Sequence, residues 1–502
     1  MFTTAGFVPH TAMKVNNILL FVILLVPILC NSQNKIQIHL APGLKGPYTG
    51  RLVVYTLSDT TKQFGGPMSS DNAGFAIEVS NWGQGQVQEI DASSHWFLKN
   101  IDSLTQGYYK FVAILDTNRQ ERAMSAPGNL YTRNEGILQV ISGQPNVASI
   151  ILNSVFLDRK FAKNDSINEV KLRSDLLSDF RKESIFLKAG IIFPASYFRD
   201  TTRVFPVVYI IPGWGGTHFN ALSKNARNAY GIGQGKDKVY VFLNPETQTP
   251  WGLHAFVDSR VNGPWGTALV KELMPFIASQ FRVSKDPALT FITGQSSGGY
   301  GAIWLALHYS EKFGGCWATA PDPIDFSSFT GVDIYLENNF YQDRLGRERG
   351  IFLMNGTFRS TLRQARLMEE LEGDGGQQQS FEAAFGLSGA DGRPRQLFDV
   401  KTGKINKTVS RTWKEYDLAF YVQRHWKEIK KKRAGRIRIY VGSDDNFRLN
   451  ESVASFTKKV KTINADIHCE VIPAADHFSL RSPKLIAKIQ QEMDAIIQQF
   501  GN

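Results

Sequence analysis

Two different patterns of hydrophobic positions divide the chain. From about residue 35 to residue 152, apolar residues alternate with polar ones in short runs, such as Ile36, Ile38 and Leu40, and glycine- and proline-containing turns separate the runs. Strict alternation indicates strands with one buried face, and the segment has no run with helical spacing. The pattern therefore predicts an N-terminal β-sandwich domain of the immunoglobulin-like kind over residues 35–152.

A second pattern begins near residue 184 and continues to residue 502. Continuous apolar runs such as Val207 to Ile211 alternate with helical patterns, the last of which is carried by Leu485, Ile489 and Met493. This alternation predicts an α/β domain with a mostly parallel sheet. Residues 153–183 are rich in charge and are interpreted as a linker, and residues 325–435 as a lid-like insertion in the α/β domain.

The pentapeptide from Gly294 to Gly298 follows an apolar strand and precedes a helical pattern. A serine between two glycines on such a strand-to-helix turn is held in a strained conformation that exposes its hydroxyl, so Ser296 is a candidate nucleophile. The backbone N–H of Ser297, at the start of the helix, is a candidate donor to an oxyanion.

A serine nucleophile needs a histidine base and an acid that orients it. His477 follows the strand that ends near Ile472, and therefore lies at the sheet edge where catalytic groups collect. For the acid we favour Asp445, which follows another strand; Asp444 beside it and Asp322 after an earlier strand remain alternatives.

A glycine-rich loop follows the apolar strand that ends at Ile211. The N–H of Trp214 is the candidate second oxyanion donor, with Gly215 as the alternative. Gly213 and Gly215 would let the backbone approach a substrate closely. Trp265, which could stack on a sugar or an aromatic acyl group, and Asp322 complete the candidate substrate contacts.

Taken together, these segments resemble the esterase D or putative esterase branch of the α/β-hydrolases. The matching segments are IIPGWGGTHFNA, DSRVNGPWGTALVKELMPFI, ITGQSSGGYGA, APDPIDF, GRPRQLFDVKTGKI, IYVGSDDNFRL and AADHF. The resemblance implies an α/β-hydrolase fold and a triad of Ser296, Asp445 and His477. The chain departs from it at Pro212, where many members have a histidine.

The resemblance also implies a function: hydrolysis of carboxylic esters through an acyl-enzyme, with acyl groups on carbohydrate as the expected substrates. A siderophore esterase is an alternative of the same class. A surface protein that binds glycans through its sandwich domain without catalysis is an alternative of another class. No cofactor is expected, and the sequence does not determine the oligomeric state.

The N-terminus carries an apolar segment, from Ile18 to Leu29, preceded by Lys14. Its length is that of a signal peptide rather than a membrane span, so residues 1–32 are predicted to be removed on export. Lipid attachment at Cys30 is a less favoured alternative, because the residue before it is the bulky Leu29. We therefore expect a secreted or periplasmic protein without a transmembrane segment.

The charge and the cysteine content bear on possible nucleic-acid partners and metal sites. The formal net charge is +11, but the densest basic run, from Lys430 to Arg433, lacks interleaved aromatic residues. It is more typical of a solvated helix end than of a nucleic-acid site, so no nucleic-acid partner is expected. Cys316 and Cys469 are interpreted as packed thiols, and the sequence shows no spacing of cysteines and histidines typical of a metal site.

Overall fold

The computed structural model describes residues 33–62, 64, 72–432 and 436–500. The predicted signal peptide and Cys30 lie outside these residues. The N-terminal β-rich region contains β1 (Asn34–Leu40), β2 (Tyr48–Leu57), β3 (Gly74–Trp82), β4 (Gln88–Ile90), β5 (His95–Phe97), β6 (Gly107–Asp116), β7 (Leu130–Tyr131), β8 (Gly136–Val140), β9 (Asn146–Leu152) and β10 (Ser154–Val155).

These strands form two sheets that share one core. One sheet has the order β4-β1-β9 and the other has the order β10-β7-β6-β2-β3-β5, with β8 paired to β6. Ile36 and Ile38 of the first sheet are fully buried in the same cluster as Val54 and Phe111 of the second. The alternation of apolar and polar residues along β1 thus places one face in the core and leaves the other face partly exposed.

The second region is built on a sheet that contains eight of the described strands, in the order β11-β12-β14-β13-β17-β18-β21-β22. The pairs β11–β12 and β12–β14 are antiparallel, and the pairs from β14 to β22 are parallel. The strands are β11 (Ile167–Ser174), β12 (Ile185–Ile192), β13 (Val207–Ile211), β14 (Val239–Leu243), β17 (Thr290–Ser296), β18 (Gly315–Pro321), β21 (Arg436–Gly442) and β22 (Ile467–Ile472).

Short two-stranded pairs and helices complete this region. The pairs are β15 (Asp258–Ser259) with β16 (Gly263–Pro264) and β19 (Gly350–Met354) with β20 (Thr357–Thr361). The helices are α1 (Asp175–Arg181), α2 (Ser196–Arg199), α3 (Lys224–Ala229), α4 (Trp265–Ala268), α5 (Met274–Gln280), α6 (Ser297–His308), α7 (Leu362–Glu372), α8 (Gln377–Phe385), α9 (Lys407–Thr412), α10 (Leu418–Lys432), α11 (Leu449–Thr462) and α12 (Pro483–Phe500).

The segment interpreted as a linker is largely ordered as part of the sheet. Residues 167–174 form β11, which pairs with β12 along its whole length, and helix α1 follows directly. Ile167 and Val170 are buried, whereas Lys171 and Arg173 are exposed. Because β11 is an edge strand with one polar face, its composition resembles that of a solvated linker.

The segment interpreted as a lid-like insertion contains the β19–β20 pair and α7, and α7 packs against β2, β3 and β5 of the N-terminal region. Arg51 of β2 donates to the carbonyl of Leu371 at 2.7 Å and to that of Glu370 at 2.8 Å, at the C-terminal end of α7. The hydroxyl of Tyr55 donates to Glu372 at 3.0 Å. A cation at this end of a helix satisfies free carbonyls and opposes the helix dipole, so these contacts hold α7 against the N-terminal region.

Candidate active site

Ser296 lies on a sharp turn between β17 and α6, at the carboxyl end of the parallel strands. Its φ of 56° and ψ of −125° are strained for a residue with a side chain. The turn is possible only because its neighbours are small: a Cβ on Gly294 would lie 2.1 Å from the carbonyl oxygen of Gly298, and a Cβ on Gly298 would lie 2.0 Å from that of Ile211. The glycines thus allow β17, α6 and β13 to meet at the serine.

Asp445 and His477 form a buried pair at the same edge of the sheet. The Nδ1 atom of His477 lies 2.9 Å from Oδ2 of Asp445. The other carboxylate oxygen of Asp445 accepts from the N–H groups of Phe447 at 2.9 Å and Leu449 at 3.2 Å, which fixes the carboxylate. The adjacent Asp444 is exposed, and its side chain accepts from Ser443 instead. Of these two carboxylates, the structure brings Asp445 to the histidine.

The backbone of His477 is also tied to its surroundings. Its N–H donates to Oδ1 of Asn446 at 3.0 Å, and its carbonyl accepts from Nε2 of Gln295 at 2.9 Å. Gln295 precedes Ser296, so the histidine loop is connected directly to the turn that carries the serine. Sequence analysis missed both amides, since no local pattern distinguishes them from other loop residues.

Asp322 is the third candidate carboxylate, and it contacts the serine itself. The Ser296 hydroxyl donates a hydrogen bond to Oδ1 of Asp322 at 3.0 Å, and not to His477. Nε2 of Gln377, on α8 of the insertion, lies 3.5 Å from the other oxygen of Asp322. Burial raises the pKa of Asp322 to about 6, although the Ser296 hydrogen bond and the charge of His477 lower it. The site thus contains two buried carboxyl groups, one against the histidine and one against the serine.

The loop after β13 lies directly against the serine. A Cβ on Gly213 would lie 3.3 Å from Cβ of Ser296 and 3.1 Å from the carbonyl oxygen of Gln295, so a larger residue would push the loop and the serine turn apart by a few tenths of an ångström. The N–H of Gly216 donates to the carbonyl of Gly213 at 3.0 Å, which closes the loop into a turn, and Gly215 within it has a φ of +80°. The side chain of Trp214 is 40% exposed.

Trp265 does not present its ring to this site. It is 2% exposed, its indole N–H donates to the carbonyl of Asn262 at 2.9 Å, and its ring stacks on His254 with centroids 3.8 Å apart. Because the ring is enclosed by protein atoms, it offers no surface to a substrate. Its spacing after a strand was compatible with either a rim or a core position, and the structure places it in the core.

Aromatic side chains surround His477 on its outer side. The ring centroid of Phe447 lies 4.9 Å from the imidazole centroid and that of Phe478 lies 5.5 Å from it. Phe352, at a φ of 61° in the β19–β20 pair of the insertion, packs on Phe447 at 5.5 Å and on Phe478 at 6.4 Å. Phe478 is 65% exposed, so it forms an apolar surface next to the base. Sequence analysis missed this cluster because three distant segments build it.

The described residues lack two kinds of feature. They contain no group of three or more histidine, cysteine, aspartate and glutamate side chains that could hold a metal ion. None of the helices that the structure describes combines the length and hydrophobicity needed to cross a membrane.

A serine on a strand-to-helix turn, beside a paired aspartate and histidine at the carboxyl edge of this sheet, defines an α/β-hydrolase. The family model described as "Putative esterase" matches residues 187–480. The chain belongs to this esterase family and is a carboxylic ester hydrolase.

Several solved structures are similar to this chain. The S-formylglutathione hydrolase FrmB from Staphylococcus aureus is 14% identical over 66% of this chain and 98% of its own, with a TM-score of 0.40. The serine hydrolase FphF from the same organism is 14% identical over 66% and 98%, with a TM-score of 0.39. The ferulic acid esterase from Anaeromyces mucronatus is 14% identical over 68% and 96%, with a TM-score of 0.36. A comparison with curated proteins gave no match.

Proposed function

We propose that this esterase works through a triad of Ser296, His477 and Asp445 and an acyl-enzyme intermediate. The observation that carries the proposal is the buried pair of His477 and Asp445, 2.9 Å apart, at the sheet edge that also holds Ser296. A hydrogen bond from Nδ1–H to Asp445 leaves Nε2 of His477 as the proton acceptor. The carboxylate orients the ring and stabilises the imidazolium that forms.

In the acylation step, the Ser296 hydroxyl turns from Asp322 toward His477 and attacks the ester carbonyl. His477 takes the hydroxyl proton and then delivers it to the leaving alcohol, so that the ester bond breaks and an acyl-serine ester remains. In the deacylation step, water attacks this ester while His477 accepts a proton from it. His477 then delivers that proton to Oγ of Ser296 as the acyl–oxygen bond breaks, which releases the carboxylic acid and restores the serine. The N–H groups of Ser297 and Trp214 donate to the oxyanion in both steps.

The proposed substrates are acyl esters of carbohydrate. Two exposed aromatic side chains support this class: Trp214, on the loop of the proposed oxyanion donor, and Phe478, beside the base. Sugar rings and aromatic acyl groups both have flat faces that stack on such side chains. We further propose that the enzyme is exported, on the basis of the apolar segment from Ile18 to Leu29.

Hydrolysis of a p-nitrophenyl ester by the wild type and by Ser296→Ala tests the proposed nucleophile. We expect the variant to lose nearly all activity while its circular dichroism and unfolding temperature stay close to those of the wild type. A Ser297→Ala variant is the matched control, because it removes the neighbouring hydroxyl and keeps the backbone N–H. Equal rates for Ser296→Ala and the wild type would contradict the proposal.

A hydrolysis screen then tests the substrate class. Acetylated and feruloylated oligosaccharides are compared with simple alkyl esters of the same acids, and with a catecholate ester that represents siderophores. We expect the highest kcat/KM for the oligosaccharide esters. A preference for the catecholate ester would assign the alternative substrate class while leaving the triad in place.

A further inference from the structure

One arginine of the N-terminal region reaches the loop that carries Trp214. Arg122 lies between β6 and β7, and its side chain is 4% exposed. Nη1 of Arg122 lies 2.7 Å from Oε1 of Glu246, whose side chain is 6% exposed, in the segment after β14. The guanidinium carbon lies 4.6 Å from the ring centroid of Trp214, and Nη2 donates to the carbonyl of Gly216 at 3.5 Å. One buried cation thus contacts both ends of the segment 214–216.

The chemistry of these contacts requires an arginine. A planar guanidinium can lie over an indole ring and donate at its edge at the same time, whereas a lysine ammonium acts as a single point charge. Burial raises the pKa of Glu246, and the charge of Arg122 opposes this rise. A buried ion pair is costly to break from one side only, which makes the position of the guanidinium well defined.

The loop needs an external support because its own backbone is permissive. Gly213, Gly215 and Gly216 surround Trp214, and Gly215 occupies a positive φ. Glycines allow the close approach to Ser296 but do not restrict the rotation of the peptide groups between them. A donor to an oxyanion contributes only when its direction is fixed before the reaction.

We propose that Arg122 is a positioning residue for the oxyanion site: it holds the ring of Trp214 and the carbonyl of Gly216 so that the intervening backbone keeps its N–H groups directed at the reacting carbonyl. This inference rests on the proposed function. It also assigns a role to the N-terminal β-rich region, which supplies a part of the active site through Arg122.

The test compares Arg122→Ala and Arg122→Lys with the wild type in kcat, KM and inhibitor affinity. We expect kcat to fall by up to about 100-fold with little change in KM, because the loss concerns the transition state. Affinity for a trifluoromethyl ketone, which forms a tetrahedral adduct with the serine, is expected to fall by a similar factor, and affinity for the product carboxylate much less. Arg122→Lys keeps the positive charge beside Glu246, so this variant provides the test if Arg122→Ala does not fold.

Two arginines serve as matched controls. Arg203 is 43% exposed, forms an ion pair with Asp237 and lies 4.7 Å from the ring of Phe205, which precedes β13, so Arg203→Ala removes similar interactions at the end of β13 opposite the loop. Arg51→Ala removes a contact between the N-terminal region and α7. We expect both variants to retain the kcat and the inhibitor affinity of the wild type.

Unchanged kcat and inhibitor affinity in a folded Arg122→Ala or Arg122→Lys variant would overturn the inference. An equal loss in Arg51→Ala would also overturn it, because the effect would then belong to contact between the regions in general. The Ser296→Ala variant separates this failure from failure of the proposed mechanism: if Ser296→Ala is inactive while the Arg122 variants are fully active, only the role of Arg122 is lost.

Discussion

The buried carboxyl group of Asp322 makes the stability of this enzyme depend on pH in a predictable direction. Burial raises its pKa from an ordinary value of 3.8 to about 6. Between these two pH values the folded protein holds a proton that the unfolded chain releases, so the contribution of Asp322 to stability is fully present below pH 3.8 and is lost as the pH rises through 6. A difference of about two pKa units corresponds to roughly 3 kcal/mol.

Replacement of Asp322 by asparagine removes this ionisation and keeps the size of the side chain and an oxygen that can accept from Ser296. The unfolding free energy of Asp322→Asn relative to that of the wild type is therefore expected to rise by about 2.5 kcal/mol from pH 4 to pH 8, because at pH 4 the unfolded wild-type chain still binds part of this proton. Urea denaturation followed by tryptophan fluorescence at both pH values measures it.

The control for this experiment is Asp444→Asn, which removes an exposed carboxylate after β21, the strand next to β18 in the sheet. Its difference from the wild type is expected to change little with pH. If the Asp322→Asn variant showed the same difference from the wild type at pH 4 and pH 8, the carboxyl of Asp322 would not be held protonated by burial, and the reasoning would fail.

The remaining predictions concern the acid, the aromatic surface and the turn. Asp445→Asn is expected to lower kcat by about 1,000- to 10,000-fold and Asp444→Asn only slightly; the reverse order would reassign the acid. Phe478→Ala should lower kcat/KM by about three- to tenfold for esters of aromatic or sugar alcohols and less for methyl esters of the same acid, because the ring lies beside the base that protonates the alcohol. Phe198→Ala, another exposed ring, is the control, and equal losses in both would refute the assignment. Gly294→Ala should reduce the unfolding free energy by about 3 kcal/mol or more, since the added Cβ meets a carbonyl at 2.1 Å; a Tm equal to that of the wild type would contradict this.

The turn at Ser296 could be predicted because its causes are local. One short segment contains the strand before the serine, the glycines on either side of it and the helix after it. Each of these has a recognisable pattern in the sequence. The approach of Asp445 to His477 was expected from a general property of parallel sheets, in which strand ends meet at one edge. The catalytic roles of these residues stay predictions until the kinetic tests.

Other features of the structure have no distinctive pattern in the local sequence. The strand β11 was interpreted as linker because an edge strand exposes one polar face, and only pairing with β12 distinguishes it from a solvated segment. The ring of Trp265 was expected at the substrate, but a tryptophan after a strand has the same local pattern at a rim and in a core, and here it stacks on His254.

The sequence by itself determined the β-rich first region, the α/β second region and the strained turn of Ser296, because periodicity and glycine spacing are properties of neighbouring residues. Its motifs also carried the resemblance to the esterase family. Only the tertiary structure decided which carboxylate meets the histidine and which meets the serine, and that Arg122 reaches Trp214 from another region of the chain. These contacts join residues far apart in sequence, and their partners are selected by packing and by the need to pair every buried charge, neither of which is visible along the chain.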